Sequence, residues 1–253
     1  MGVNIPATAM VFAAGVGRRM RPLSESVPKP LLTVAGQPIL DHLLDRLEAA
    51  GVGQVVVNAH WQPDAIHAAL QARAASGRGP RTVEQVEPDL LETGGSAAAA
   101  LRAGRLGPDP FFLLNGDVMW LNGPVPALRR LAGAFDPDGM DALLLLGPMT
   151  RAFGEVGHGD FAVDVHGRPR RPRAGEITPY VFTGVQIVSP RLFASAPQGG
   201  FSMNQLWDRA IAAGRLGVIV HDSLWFHLSR PEDIRAAERG LQAAMNPDPD
   251  NDI

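Results

Sequence analysis

The stretch AAGVGRRMRPLSESVPKPLLTVAGQP, residues 13–38, decides how the rest of the chain is read. It grows out of an apolar run, ATAMVFAA at 7–14, with the length and composition of a buried strand. Gly15 and Gly17 then allow backbone N–H groups to approach a ligand closely, the geometry of an anion-binding nest. The spacing is not a dinucleotide fingerprint, because GVGRRM lacks the last glycine of G-x-G-x-x-G, and it is not a P-loop, because Lys29 lies well beyond Gly17. Pro28 and Pro30 stiffen the backbone around Lys29 and can aim one cation at the phosphates that the loop holds. Of the 23 lysines and arginines, Lys29 is the one lysine. A chain that uses arginine everywhere else for positive charge keeps a compact ammonium here, which marks a site unsuited to a planar fork.

Outward from that stretch, strands and helices alternate. ILDHLLDRLEAAG (39–51) carries apolar residues at helical spacing and stops at Gly51. GQVVVNAH reads as a second strand, PDAIHAALQARAA as a second helix, RTVEQV as a third strand. GGSAAAALRAG opens a third helix, PFFLLNGD is a fourth strand and DALLLLGP a later one. Such alternation predicts an α/β fold with a mostly parallel sheet covered on both faces, and ligands beyond the carboxyl ends of its strands. After about residue 150 the alternation weakens. DFAVDV, PYVFTGVQIV, LGVIVHD and LWFHL read as strands, RPRRPRAGE as a loop, and PEDIRAAERGLQAAM as a closing helix with Pro231 in its first turn. This predicts one domain over 1–245, whose second half extends the sheet and supplies a second ligand wall, and a disordered tail at 246–253.

Composition narrows the function. There are no cysteines, so thiolate metal sites, thiol nucleophiles and disulfides are excluded. A net charge of -3 argues against a broad nucleic-acid surface. No apolar run approaches the ~20 residues of a membrane span, and the first residues lack a basic leader. A cytoplasmic protein with neither nucleic-acid nor membrane partners is the expectation. The sequence gives no reading of oligomeric state.

Two further stretches carry chemistry. FFLLNGD ends on Asp117, a carboxylate just past a buried strand and beside a phosphate loop, where a Mg²⁺ ligand belongs; a turn aspartate after glycine is the plainer alternative. LLETGGSAAAAL (90–101) sets Gly94 and Gly95 at a helix start, where anions are favoured and a base or sugar can come close, with Thr93 as a candidate cap.

Taken together, GxGxRMRPL…PKPL…VxGxP resembles the start of the sugar-1-phosphate nucleotidylyltransferases. The form LETGG, with NAHW (58–61), NGD (115–117), GHGDF (157–161) and YVFTGVQIVSP (180–190), is similar to the bacterial N-acetylmuramate-1-phosphate uridylyltransferases, and the likeness runs to about residue 245. The resemblance implies a Rossmann-like three-layer αβα fold of the glycosyltransferase-A-like nucleotidyltransferase type, with a nucleotide-binding half over about 7–150 and a sugar-binding half over about 150–245. It implies catalytic roles for Arg19, Lys29 and Asp117. Nucleotide contacts would come from Ala13, Ala14, Gly15, Gly17, Lys29 and Gly94, and sugar contacts from Glu92, Asn115, Asp160, Thr183 and Gly184. The substrates would be a nucleoside triphosphate and a sugar 1-phosphate, with UTP and N-acetylmuramate 1-phosphate first. Mannose-1-phosphate guanylyl transfer, or transfer to another hexose or heptose 1-phosphate, is the first alternative.

One departure stands out. Many relatives carry a second metal-binding Asp near the C-terminal end, in a V/L-D-V/T-G-T segment. Here LWFHLSRPEDI sets His227 at that place and Ser229-Arg230 where Gly-Thr is usual. Hard cations prefer oxygen. Several readings follow: His227 ligates with Asp117 and favours Mn²⁺ over Mg²⁺, water replaces the carboxylate, Asp222 swings in, or His227 is a packed strand histidine without a metal role. Loss of the second Asp also raises the reading of a weakly active enzyme or a non-catalytic nucleotide-sugar-binding subunit. His60 is a candidate for the sugar pocket, and the Arg cluster at 168–173 for closure over the sugar phosphate.

Overall fold

The computed structural model describes residues 3–245, so the expected disordered tail at 246–253 lies outside the described residues. The strands that matter to the site are β1 (Thr8–Phe12), β2 (Gln54–Ala59), β3 (Arg81–Val86), β4 (Phe111–Asn115), β5 (Val118–Trp120), β6 (Ala142–Pro148), β7 (Tyr180–Val188), β8 (Leu216–Val220) and β9 (Trp225–His227). The helices are α1 (Ile39–Ala50), α2 (Pro63–Ala75), α3 (Glu92–Arg102), α4 (Ala127–Ala134), α5 (Asn204–Ala212) and α6 (Pro231–Met245).

Seven strands form the central sheet in the order β8–β6–β7–β4–β1–β2–β3. All neighbours are parallel except at β7, which runs against both β4 and β6. Successive side chains of a strand face opposite sides, and here both sides are apolar. Ala9 and Val11 of β1 pack with α1, α2 and α4, while Met10 between them packs with α3 and α5. Leu143 and Leu145 of β6 divide from Leu144 and Leu146 in the same way. This is why these strands read as unbroken hydrophobic runs. On α1, Leu40, Leu43, Leu44 and Leu47 are fully buried, the i, i+3, i+4, i+7 stripe of a helix laid on a sheet. The result is the expected three-layer αβα fold with a mixed, mostly parallel sheet.

The residues after about 150 contribute β7 and β8 to this sheet, and β9 to a small second sheet in which it pairs antiparallel with β5 and parallel with Ala152–Phe153. A third apolar cluster joins the two ends of the chain. Met20, Leu32 and Val34, on either side of Lys29, pack with Phe226 and Leu228, on either side of His227, and with Ile234 of α6. Burying side chains of this size is worth roughly 1.5–3 kcal/mol each, which fixes the phosphate segment against the C-terminal strand.

Two local expectations need correction. DFAVDV is not a strand of the central sheet: Phe161 makes a single bridge to Tyr180, and Ala162–Val163 pairs with Pro169–Arg170 in a two-stranded ribbon. The Asp164 carboxylate accepts from the backbone N–H groups of His166 and Arg168 and turns the chain back at once. The third helix begins at Glu92, before the glycines, and Thr93 does not cap it, since its hydroxyl accepts from the Met203 N–H. Finally, β7 carries a bulge: its pairing with β6 shifts between Phe182 and Gln186, where Gly184 adopts φ +81°. Bulges of this kind re-aim side chains.

Candidate active site

The register of the sheet builds the site. Phe12, the last residue of β1, pairs with Asn58 of β2 on one side and Asn115 of β4 on the other, so three strand ends stand level. Gly116 follows Asn115 and donates its N–H to the Phe12 carbonyl. A Cβ there would lie 2.3 Å from that oxygen, so the N-G-D turn requires glycine. It delivers Asp117 to the carboxyl edge of the sheet.

Two cavities meet at this edge, with Thr93 and Asn115 in the wall of both. The first, about 240 Å³, is lined by Ala14, Gly15, Lys29, Glu92 and Asp117. Its floor is a buried polar network. Asn58 accepts from the Ala13 N–H at 2.7 Å and donates to Glu87 at 3.0 Å; Ser96 donates to the other Glu87 oxygen at 3.1 Å. Glu87, 3% exposed, thus has both oxygens occupied, as a buried carboxylate must. The second cavity, about 330 Å³, is walled by Asp160, Arg171, Phe182, Trp207, Trp225 and His227.

Lys29, Asp117 and His227 converge where the cavities join. The Lys29 ammonium, on a side chain 11% exposed, donates to Asp117 Oδ2 at 2.6 Å. His227 Nε2 lies 3.6 Å from the same oxygen. The reason is register: β9 places His227 opposite Val118, the residue after Asp117, and the Leu228 N–H donates to the Asp117 carbonyl. His227 Nδ1 sits 3.0 Å from the Glu155 carbonyl, which accepts from it and leaves Nε2 facing Asp117. Burial alone would raise the Asp117 carboxyl. The Lys29 charge and the His227 hydrogen bond outweigh it and hold the group well below the usual carboxylate range. For His227, burial pushes down, and the hydrogen bond and charge of Asp117 push up by more, leaving the imidazole above its ordinary value.

These residues suit a divalent cation of limited protein ligation. Asp117 offers oxygen and His227 an oriented nitrogen, and among the described residues no group of three or more His, Cys, Asp or Glu is gathered as a cage. Mg²⁺-type sites use one or two protein ligands and fill the rest with water and substrate phosphates. Asp222 is not part of this arrangement: it pairs with Arg130 at 2.9 Å.

The remaining sequence-derived residues divide. Ala14, Gly15, Lys29, Asn115, Asp117, Asp160 and His227 stand in the cleft walls. Ala13 is buried and acts through its N–H to Asn58. Gly17, at φ +65°, shapes the loop against Lys29, whose Cβ would be 3.1 Å from an added methyl. Arg19 points to solvent and pairs with Glu155 at 3.0 Å, an acid that also pairs with Arg230 at 3.2 Å. Four residues sit apart from the cavity walls expected for them. Glu92 lines the first cavity and not the sugar-side one. Gly94 does not face the first cavity: a Cβ there would lie 2.4 Å from the Phe201 ring, so its smallness serves packing of α3 against the 199–203 strap. Thr183 is fully buried and donates to the Leu145 carbonyl, away from the cleft. Gly184 lies under Asn115, where a Cβ would be 2.9 Å from that of Asn115; it seats the sugar-side wall without being part of it. His60 reaches the Glu87 carbonyl, beneath the first cavity. Sequence reasoning missed Glu87, Glu155 and Trp207, which nothing in their local sequence distinguishes.

A family model described as a MobA-like NTP transferase domain matches residues 9–156. An N-acetylmuramate alpha-1-phosphate uridylyltransferase from Caulobacter vibrioides is 43% identical over 242 residues, covering 94% of this chain and 98% of its own length. A mannose-1-phosphate guanylyltransferase from Mycobacterium tuberculosis is 40% identical over 111 residues, 44% of this chain and 30% of that protein. Among solved structures, a UDP-glucose pyrophosphorylase complexed with UDP-glucose superposes with a TM-score of 0.77 over 94% of this chain and 98% of that one, at 13% identity, a likeness of fold. Among the described residues no helix is long and apolar enough to cross a membrane.

Proposed function

The chain belongs to the MobA-like NTP transferase family, among the sugar-1-phosphate nucleotidylyltransferases, and on that premise we propose that it joins UTP and N-acetylmuramate 1-phosphate to give UDP-N-acetylmuramate and pyrophosphate. The uridine end of UTP occupies the first cavity and the sugar the second. A phosphate oxygen of the sugar 1-phosphate attacks the α-phosphorus of UTP in line, a new P–O bond forms, and the bond to the β-phosphate oxygen breaks. The nucleophile is already an anion, so no general base is needed, and catalysis is positioning plus charge neutralisation.

The residues divide the work. The Ala14–Gly15 backbone faces the nucleotide, and Asn58 holds the loop through the Ala13 N–H. Lys29 neutralises the reacting phosphates as a point charge. Arg19 leaves Glu155 for the leaving pyrophosphate. Asp117 and His227 would hold the divalent cation on which this family generally depends, Mg²⁺ or Mn²⁺, which when bound screens the charge on the phosphates. Imidazole in the ligand set favours Mn²⁺ relative to an all-carboxylate site. Asn115 and Asp160 bind the sugar.

The observation that carries this reading is the Lys29–Asp117–His227 cluster at the seam of two cavities, in a chain similar along nearly its whole length to a uridylyltransferase of that sugar. The test is pyrophosphate release by the purified protein with Mg²⁺ or Mn²⁺, each of UTP, GTP, dTTP and CTP being paired with N-acetylmuramate, N-acetylglucosamine, mannose and glucose 1-phosphates. The expected result is release with UTP and N-acetylmuramate 1-phosphate above all other pairs. A GTP–mannose signal would replace the substrates and keep the mechanism. Nucleotide binding with no release from any pair would overturn the enzyme reading.

A further inference from the structure

The second cavity holds a cation that the phosphoryl-transfer chemistry does not use. Arg171 comes from the Arg/Pro-rich loop, yet it is fixed. Its Nε donates to Asp208 and its Nη2 to Asn204, both at 2.8 Å and both from α5. Its guanidinium lies 4.6 Å from the centre of the Phe161 ring and 5.5 Å from that of Trp207. Phe161 is fully buried, and Trp207 is buried and anchored through its indole N–H to Gln186 at 2.9 Å. The platform under the cation is therefore rigid. Among the described residues, Nη1 has no hydrogen-bond partner, so one edge of the fork remains for a ligand.

The other charged groups of this cavity are committed. Glu155 pairs with Arg19 and Arg230, Asp160 accepts from the Phe182 N–H at 2.8 Å, and His227 faces Asp117. Arg171 shares no partner with the Lys29–Asp117–His227 cluster, and its anchors lie on α5, on the opposite face of the sheet from α1. A planar, stacked guanidinium with a free edge suits a carboxylate, and an anion entering a half-closed cavity without such a partner is strongly disfavoured.

We propose that Arg171 is a specificity-determining residue that binds a carboxylate on the sugar's substituent and so selects a sugar acid over its neutral counterpart. This rests on the function proposed above, where the carboxylate is the group that distinguishes N-acetylmuramate from N-acetylglucosamine. The anion could also come from the 1-phosphate, which both sugars share, and the experiment separates the two sources.

Calorimetric affinities for UDP-N-acetylmuramate and UDP-N-acetylglucosamine, and kcat/KM for the two sugar 1-phosphates with UTP, would be measured on the wild type, Arg171→Gln and Arg171→Lys. The wild type is expected to prefer the muramate forms. Arg171→Gln is expected to lose about ten- to hundredfold on those forms, the value of one charge-assisted hydrogen bond, and no more than about threefold on the glucosamine forms. Arg171→Lys keeps the charge and is expected to recover part of the preference, which a merely structural role would not produce. Equal losses on both sugars would assign Arg171 to the phosphate or to holding α5, and would overturn the proposal. So would a wild type that does not discriminate. A wild type that binds neither UDP-sugar and releases no pyrophosphate from any pair would instead sink the underlying function, and this inference with it.

Discussion

On the side of the first cavity, proposed for the nucleotide, the wall is set by backbone turns of consecutive residues, Ala14–Gly15 and the N-G-D turn at the level ends of β1, β2 and β4, over the side chains of Asn58, Glu87 and Ser96. On the side of the second cavity, proposed for the sugar, it is side chains gathered from four distant segments: Asp160, Arg171, Trp207, and Trp225 with His227 on β9. A backbone wall can accept changes of side chain so long as the turns persist. A side-chain wall is rebuilt by single substitutions.

The contrast can be broken most sharply at Lys29. Lys29→Arg keeps the charge and is expected to lower kcat by about 10²–10³, because a guanidinium cannot take the place of an ammonium 2.6 Å from Asp117 in so closed a position. Steady-state pyrophosphate release measures this. A rate within a few fold of wild type would end the argument for a point-charge site.

Gly184→Ala comes next. It forces an alanine to φ +81° and a methyl to within 2.9 Å of Asn115, a cost of about 1–3 kcal/mol. In a chain of this size that lowers Tm by several degrees, and the displaced Asn115 should weaken sugar 1-phosphate more than nucleotide. Equal weakening of both would mean that the two walls are not independent.

Glu155→Gln tests the boundary between them. Arg19 is held by an exposed, solvent-screened ion pair, and freeing it for triphosphate is expected to lower the KM for UTP by no more than about fivefold. An unchanged or raised KM would show that Glu155 positions Arg19 and does not compete for it.

The smallest effect is on pH. His227 is raised, so its charged contact with Asp117 contributes stability below the ordinary histidine value, and this is lost as pH rises through the raised folded value. Asp117 is depressed, so its contribution is present above the ordinary aspartate value and is lost only as pH falls into the strongly acid range. Metal-free thermal melts of the wild type should therefore decline as pH rises past the ordinary histidine value, by more than those of His227→Gln. Parallel curves would remove the ion pair from the account.

The legible and illegible parts of the sequence follow the same line. The first strand, its glycine loop, Lys29 and the N-G-D turn could be read because strand, turn and polar residue are consecutive. Gly94 was read for the right physical property, room for a close neighbour, but the neighbour is Phe201 and not a ligand. Thr183 entered only through the resemblance, and its burial follows from the β7 bulge, which no local pattern announces. Glu155, Glu87 and Trp207 owe their positions to pairings across distant segments. His227 was legible only as a departure from a resemblance, and β9 pairing with β5 is what brings it to Asp117.

The third apolar cluster joins residues 20–34 to residues 226–237, and this has a consequence for how the protein is made. During synthesis the phosphate loop leaves the ribosome early, while the strand that brings His227 to Asp117 emerges about two hundred residues later than Lys29. Until then Met20, Leu32 and Val34 have only Ile39 and Met119 of that cluster to pack on, and the loop between them lacks its C-terminal brace. The growing chain is thus barred from acting on nucleotide before its last helix is out, by the order in which its parts are born.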